Sequence, residues 1–183
     1  MRARSPPFAV HVDGAGRLPG IDENTHMYRL QAVIAAEPVL RALADGVEPA
    51  LLAPLDQGLT LLPITDAFLD TFLDSDGVAD DVAEVPAGFS RALSNCSRLG
   101  AVAYVEADYW GGAGTQRAQV WASGHVVFGP LSSVEGEPFA PEGSPISQAL
   151  RLLGATKGDF FDEFDAVGLG RHRDTERWLS AAG

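Results

Sequence analysis

The 183-residue chain has a formal net charge of −12, with 46% apolar and 21% charged residues. A domain of this length buries roughly 70% of its unfolded surface, which predicts one domain over residues 1–183 that needs no disulfide or metal to fold. The single cysteine, Cys96, excludes an internal disulfide and favours a reducing compartment. Residues 1–20 lack a signal-peptide pattern, and no apolar run approaches the roughly 20 residues of a membrane span, so we expect a cytoplasmic protein.

The negative charge is concentrated in one part of the chain. No Lys or Arg lies between Arg41 and Arg91, and that stretch carries ten acidic residues. Such a surface repels nucleic-acid backbones and anionic lipid and attracts a basic partner. Binding to nucleic acid or to a membrane is therefore not expected.

In chain order, residues 8–13 alternate as a half-buried strand does, and Thr25 is placed to cap a helix. That helix is expected to carry Tyr28, Leu30, Val33 and Ile34, to be interrupted or restarted at Pro38, and to end at Gly46. Residues 59–64 are expected to form a short strand with Pro63 at an edge or at its end.

Three further helices have clear end signals. Thr65 can cap a helix with an apolar face of Phe and Leu, Pro86 can open a helix that Gly100 closes, and Ser144-Pro145 begins a helix that Gly154 ends. Residues 159–165 (DFFDEFD) fit an amphipathic helix with its phenylalanines on one side.

Residues 101–129 predict a three-stranded meander whose first strand has two different faces. One face is small and apolar and should pack beneath helices; the other carries Val102, Tyr104, Glu106, Asp108 and Trp110, a mixture typical of an exposed or ligand-binding face. The strands are expected at residues 101–110 and 117–122 and from His125 to Phe128, where Gly129-Pro130 should end the third. The predicted fold is α+β, a mainly antiparallel sheet with this meander packed against several helices on one face.

Several short patterns resemble catalytic or metal-binding motifs without their required context. Residues 111–115 (GGAGT) join two strands instead of leading into a helix, so a flexible hairpin loop is favoured over a phosphate site. The triplet His172-Arg-Asp174 stands alone, and Asp174 is better placed to cap a last helix containing Trp178. The four histidines show no zinc-site spacing, and Cys96 is expected to be a small buried helical residue. Neither a metal nor a cofactor is predicted.

An acidic stripe is the strongest candidate for a docking surface. Asp66, Asp70 and Asp74 recur at i, i+4 and would stack on one side of a helix, and Asp80, Asp81 and Glu84 extend the field. This pattern is typical of a solubilising face, and it also fits docking of a basic protein.

Residues 103–121 (AYVEADYWGGAGTQRAQVW) and 164–178 (FDAVGLGRHRDTERW) resemble small uncharacterised bacterial cytoplasmic proteins that are themselves similar to immunity proteins of bacterial toxin systems. The resemblance covers chiefly the C-terminal half of the chain. It implies no catalytic motif and transfers no functional residue.

The leading hypothesis is an acidic protein-binding module of the immunity or inhibitor type that neutralises a basic partner, such as a toxin, by occlusion. Catalysis is less favoured because no catalytic constellation is recognisable. The six acids of the stripe would make the contacts, and Trp110 and Trp121 would act as exposed anchors.

Two alternatives stay open. The first is a small enzyme or ligand-binding domain with a pocket on the polar hairpin face, lined by Tyr104, Glu106, Asp108 and Gln119, with residues 111–114 as a mobile rim. The second is a homo-oligomeric structural protein, suggested by three tryptophans on expected surfaces.

Overall fold

A computed structural model describes residues 27–47, 50–72 and 85–182 of the chain. The predicted strand at residues 8–13 and the predicted cap at Thr25 lie outside these ranges. Within them, six strands form one antiparallel sheet in the order β2-β3-β1-β4-β5-β6. The strands are β1 (Met27–Ala35), β2 (Ala53–Pro54), β3 (Thr60–Pro63), β4 (Val102–Trp110), β5 (Ala113–Ala122) and β6 (His125–Ser132).

Six α-helices accompany the sheet in the described residues. They are α1 (Glu37–Ala44), α2 (Asp66–Asp70), α3 (Ala87–Cys96), α4 (Pro145–Leu152), α5 (Glu163–Ala166) and α6 (Thr175–Ala182). The predicted α+β class with an antiparallel sheet is confirmed.

The helix predicted over Tyr28 to Ile34 is wrong, because these residues form β1, a central strand of the sheet. Tyr28, Leu30 and Ile34 are separated by even numbers of residues and point to the same face of the sheet, as the period of two in a strand requires. Val33 is buried on the opposite face, where a second core lies, so the alternation of apolar and polar residues is lost at this end of β1. The helix begins only after the strand, at Glu37, with Pro38 in its first turn.

The alanine-rich face of β4 packs beneath helices, as predicted. Ala103, Val105 and Ala107 are buried in a core that also contains Ile146 and Leu150 of α4. Helices α5 and α6 complete this core through residues such as Phe164 and Trp178. Small side chains on the strand allow the close approach of a helix to the sheet.

A second core lies on the other face of the sheet, beyond the single helical layer that the sequence predicted. It contains Leu40 of α1, Phe68 of α2 and Phe89 of α3, together with Val102 and Tyr104 of β4. The rings of Phe89 and Tyr104 meet edge to face at 6.0 Å. This second layer covers only the end of the face that bears Val102 and Tyr104; farther along β4, Asp108 and Trp110 are exposed.

The predicted helix ends at Thr65, Ser144 and Gly154 are confirmed. The Thr65 hydroxyl accepts a hydrogen bond from the N–H of Phe68 at 3.2 Å, and that of Ser144 accepts one from the N–H of Ser147 at 3.2 Å. Gly154 follows α4 with a φ of 93°, which favours glycine. Helix α3 lies within the range predicted from Pro86.

Two strand boundaries differ from the prediction. Only Gly111 and Gly112 form the hairpin turn, with φ of 59° and 91°, and β5 already begins at Ala113. Strand β6 continues through Gly129-Pro130 to Ser132, because the register against β5 shifts there.

Most of the acidic and aromatic segment at residues 159–165 is not helical. Helix α5 begins only at Glu163, because Asp162 caps it by accepting the N–H of Asp165 at 2.9 Å. Phe160 and Phe161 are consequently exposed instead of sharing an apolar side with Phe164.

Among the helices of the described residues, none has the length and apolarity that crossing a membrane requires.

Candidate functional site

The uncovered half of the second sheet face forms a cavity of about 700 Å³, which we call the recess. Its floor is made of side chains from β1, β4 and β5, and its wall comes from the first residues of α2 and α6. The recess thus begins where the second core ends.

Two cross-strand rows make the floor. In the first row, Gln31 of β1, Glu106 of β4 and Arg117 of β5 are directly opposite one another. In the second, two residues farther along β4, Asp108 lies between Arg29 and Thr115. Residues paired in this way have Cβ atoms about 4.5–5.5 Å apart, so each row is a line of side chains in mutual reach.

Glu106 is held in place by a short chain of hydrogen bonds. The Tyr104 hydroxyl donates to Glu106 Oε1, and Gln31 Nε2 donates to the Tyr104 hydroxyl at 2.6 Å. The pKa of Tyr104 lies far above its ordinary value, first because the phenol is buried and then because of the charge of Glu106 and the hydrogen bond to it. Tyr104 therefore stays protonated, and it fixes the carboxylate from below.

Arg29 and Asp108 form an ion pair at 3.4 Å, with their side chains 72% and 58% exposed. A pair this open to solvent contributes little to stability, about 0–1 kcal/mol. Its main effect in the recess is that the two charges largely offset each other.

The wall is attached to the edge of β1 that faces away from β4. The N–H of Ile64 donates to the carbonyl of Gln31 at 2.9 Å, which brings Thr65 and Asp66 over that edge. The N–H of Gln31 donates to Thr175 Oγ1 at 3.1 Å, which fixes the start of α6 and with it Glu176. Two segments far apart in the chain therefore meet at one strand.

The recess has an excess of negative charge. Its lining includes four carboxylates, of Asp66, Glu106, Asp108 and Glu176, and two guanidinium groups, of Arg29 and Arg117. Burial lowers the pKa of Arg117 because the charged form loses hydration. The arrangement can therefore hold a polar molecule that offers groups of both signs.

The sequence predicted part of this site. Glu106 and Asp108 line the recess, and Tyr104 lies beneath it as the hydrogen-bond donor to Glu106. Gln119 is the cross-strand neighbour of Tyr104 and does not line the recess, and neither does any residue of 111–114, so the expected glycine rim is wrong.

Sequence reasoning missed Arg29, Gln31, Arg117 and Thr175. Arg29 and Gln31 could have been found from the alternation of residues 27–35, because a strand there would have placed them on the same face as each other. Nothing in the sequence indicates that Thr175 lies beside them.

The predicted docking surface is described only in part. Asp66 and Asp70 are exposed on α2, whereas Asp74, Asp80, Asp81 and Glu84 lie outside the described residues.

The two tryptophans expected to anchor a partner differ in exposure. Trp110 is 59% exposed at the end of β4, as an anchor must be. Trp121 is 2% exposed, so its expected exposure is wrong: it is paired with Val102 on β4 and lies in the second core. Trp178 is buried as well, so Trp110 is the one exposed residue of the three tryptophans that were expected on the surface.

The remaining candidate residues have structural roles. Cys96 is buried in α3, and burial raises the pKa of its thiol to about 11. Asp174 caps α6 by accepting the N–H of Arg177 at 2.7 Å. Where the structure describes the chain, no three His, Cys, Asp or Glu side chains are grouped as metal ligands would be.

Comparisons with known proteins give no match: no family model, no curated protein and no solved structure is significantly similar to this chain.

Proposed function

We propose that this chain is a ligand-binding domain whose site is the recess on the polar face of the hairpin. The observation that supports this function best is a cavity of about 700 Å³ whose floor contains a carboxylate, Glu106, already fixed by a hydrogen bond from Tyr104. Small-molecule sites in proteins have volumes of about 300–1,000 Å³ and a few polar groups in fixed positions. The recess has both properties.

Binding is favoured over catalysis by the groups that the recess offers. Of the described residues that line it, none is a serine, cysteine or histidine, the side chains that most often act as nucleophile or general base. One oxygen of Glu106 already accepts a hydrogen bond from Tyr104, which suits a fixed ligand contact.

Amide NMR spectra of the full-length chain test this function. The protein is titrated separately with an amino acid, a diamine and a dicarboxylate, and we expect saturable shifts of recess resonances such as those of Gln31, Glu106 and Thr175. The variant Glu106→Gln should weaken these shifts, and Glu137→Gln, an exposed loop substitution of the same chemistry, should not. Shifts confined to other surfaces, or equal in both variants, would contradict the proposal.

A second candidate is the acidic binding module of immunity or inhibitor type, acting in the bacterial cytoplasm on a basic protein such as a toxin. It is supported by the exposed acids Asp66 and Asp70 on α2 and by the exposed ring of Trp110. Complementary charge of this kind accelerates association and is screened by salt. Neither nucleic acid nor a membrane is a partner in this proposal.

Association kinetics test the second candidate. A basic protein captured from the native cell extract at low salt is purified and its association rate with the chain is measured. Reversal of Asp70 to Lys should slow association at low salt, and Glu137→Lys, on a distant loop, should change it less. Unchanged kinetics for the Asp70 variant would remove this candidate.

A further inference from the structure

The hydrogen bonds beneath the recess have a direction that their chemistry determines. An ionised carboxylate only accepts, so the Tyr104 hydroxyl gives its proton to Glu106. The phenol oxygen then accepts from Gln31, so the end of the amide that faces Tyr104 at 2.6 Å is its NH₂ group. The amide oxygen, Gln31 Oε1, is therefore the end of the side chain that is turned away from the phenol.

Two oxygen atoms remain for a ligand at the centre of the floor. In the part of the chain that the structure describes, no donor contacts Gln31 Oε1 or the second carboxylate oxygen of Glu106, and Glu106 takes part in no ion pair. Both side chains bond to the same hydroxyl oxygen, so the Gln31 amide nitrogen and Glu106 Oε1 are no more than about 5.5 Å apart, two hydrogen-bond lengths. The floor thus presents acceptors, and a complementary ligand has to donate.

The charge of the lining favours a cation. The lining has four carboxylates and two guanidinium groups, an excess of two negative charges. This excess does not depend on any contact of Arg117, because both guanidinium groups are already counted. Among the described residues of the lining there is no aromatic ring, and quaternary ammonium ions are recognised mainly through the faces of such rings. A cation that carries N–H groups fits these features better.

We infer, on the basis of the proposed function, that the recess binds an aliphatic diamine. One of its ammonium groups donates hydrogen bonds to Gln31 Oε1 and to the second carboxylate oxygen of Glu106. An ammonium group has three donors and no acceptor, and its bonds of about 2.8 Å allow it to bridge oxygens on two neighbouring strands. The second ammonium group balances the remaining negative charge of the lining.

Isothermal titration calorimetry of the full-length chain tests the inference with four probes that share a four-carbon chain. Putrescine has two ammonium groups; its fully N-methylated analogue keeps both charges and has no N–H; 1,4-butanediol donates hydrogen bonds without charge; and succinate has the opposite charge. We expect putrescine to bind at least about tenfold more tightly than the methylated analogue or the diol, and succinate to show no binding, because each lacks the charge-assisted contact to Glu106.

Variants identify the residues that make the contacts. Glu106→Gln should weaken putrescine binding about tenfold or more. Gln31→Met should weaken it about threefold and leave the methylated analogue unaffected, because that analogue has no N–H to lose a partner.

The matched controls change the same chemistry outside the recess. Glu137→Gln is an exposed loop substitution, and Gln148→Met removes a 2.8 Å hydrogen bond to the carbonyl of Gly143; both should bind putrescine as the unaltered chain does. Circular dichroism and thermal unfolding establish that each variant is folded. The probe series on the unaltered chain decides the case if a recess variant does not fold.

The outcomes separate this inference from the proposed function. Equal binding of putrescine and its methylated analogue, putrescine binding that Glu106→Gln leaves unchanged, or recess shifts with an amino acid or a dicarboxylate alone would overturn the diamine inference. The last of these outcomes would leave the ligand-binding function in place. Absence of recess shifts with every probe would contradict both.

Discussion

Tyr104 and Glu106, two residues apart on β4, are joined by a hydrogen bond between a buried phenol and a carboxylate that faces the recess. Strand geometry places both side chains on one face, and the boundary of the second core passes between them. Tyr104 therefore links the two regions: its ring contacts Phe89 of α3 in the second core, and its hydroxyl contacts the carboxylate of the recess.

Replacing Tyr104 by Phe removes this hydroxyl and leaves Gln31 and Glu106 each without one partner. We expect the free energy of unfolding to fall by about 1–2 kcal/mol and the side-chain resonances of Gln31 to shift. Urea unfolding and NMR measure the two effects. Tyr28→Phe is the control: it removes the 3.0 Å hydrogen bond to the carbonyl of Leu169, and should destabilise the chain without shifting Gln31. An unshifted Gln31 in the Tyr104 variant would contradict the described chain of hydrogen bonds.

Stability should decline in alkali because of the same two tyrosines. Burial raises the pKa of Tyr28 and of Tyr104 well above the ordinary 10.0, so above that pH the unfolded chain releases protons that the native chain keeps. Their contribution is therefore complete below pH 10 and is lost as the pH rises beyond it. Urea midpoints measured from about pH 8 to about pH 11 should fall more steeply for the unaltered chain than for the Tyr28→Phe, Tyr104→Phe double variant. Parallel curves would refute this assignment.

Asp162 should affect stability in two opposite ways: it stabilises the fold as a helix cap and destabilises it as a buried charge. Its pKa is raised from the ordinary 3.8, chiefly by burial, although the N–H of Asp165 partly opposes the shift. Since the native pKa is the higher one, stability falls as the pH rises from the unfolded value through the native value. At neutral pH, Asp162→Asn should equal or exceed the unaltered chain in stability, and Asp162→Ala should lose about 1 kcal/mol with the cap. Thermal unfolding of both variants at neutral and acid pH measures this; an Asn variant as unstable as the Ala variant would contradict it.

The ion pair between Arg151 and Glu163 should matter more to stability than an exposed ion pair. Arg151 lies 3.5 Å from Glu163, whose side chain is only 6% exposed. Arg151→Met leaves that carboxylate buried without its cation, and we expect a loss of about 1–3 kcal/mol. The control Arg41→Met breaks a pair with Glu37 whose side chains are 71% and 52% exposed, and should change stability by less than about 0.5 kcal/mol. Equal losses in chemical denaturation would show that burial does not distinguish the two pairs.

Cys96 should be almost unreactive in the native protein. Its thiol is buried in α3, and burial raises its pKa to about 11, so little thiolate forms at neutral pH. We expect a thiol reagent such as Ellman's reagent to react slowly in buffer and promptly in denaturant. The Ser variant, which has no thiol, sets the background. Prompt reaction of the folded chain would contradict the described burial.

The sequence was sufficient for those parts of the fold that local chemistry determines. The caps at Thr65 and Ser144 and the alanine face of β4 each depend on residues close together in the chain. Their geometry could therefore be predicted from spacing and side-chain type.

The recess could not be predicted in full because it depends on β1. Arg29 and Gln31 meet Asp108 and Glu106 only if residues 27–35 are a strand beside β4. Val33 is buried on the second face and breaks the alternation of apolar and polar residues, so the sequence was interpreted as a helix.

The predicted exposure of Trp121 was wrong for a related reason. Its burial depends on the second helical layer, which no local sequence pattern predicts.

The two cores have a mechanical consequence for the floor of the recess. Beneath Glu106 and Asp108, the alternate residues Val105, Ala107 and Tyr109 of the same strand are packed into the first core, and β4 is hydrogen-bonded on both edges. Such a floor is pre-organised, because its backbone loses little conformational freedom when a ligand binds. Differences in affinity between ligands should therefore arise mainly from their dissociation rates, because association requires little rearrangement of the floor.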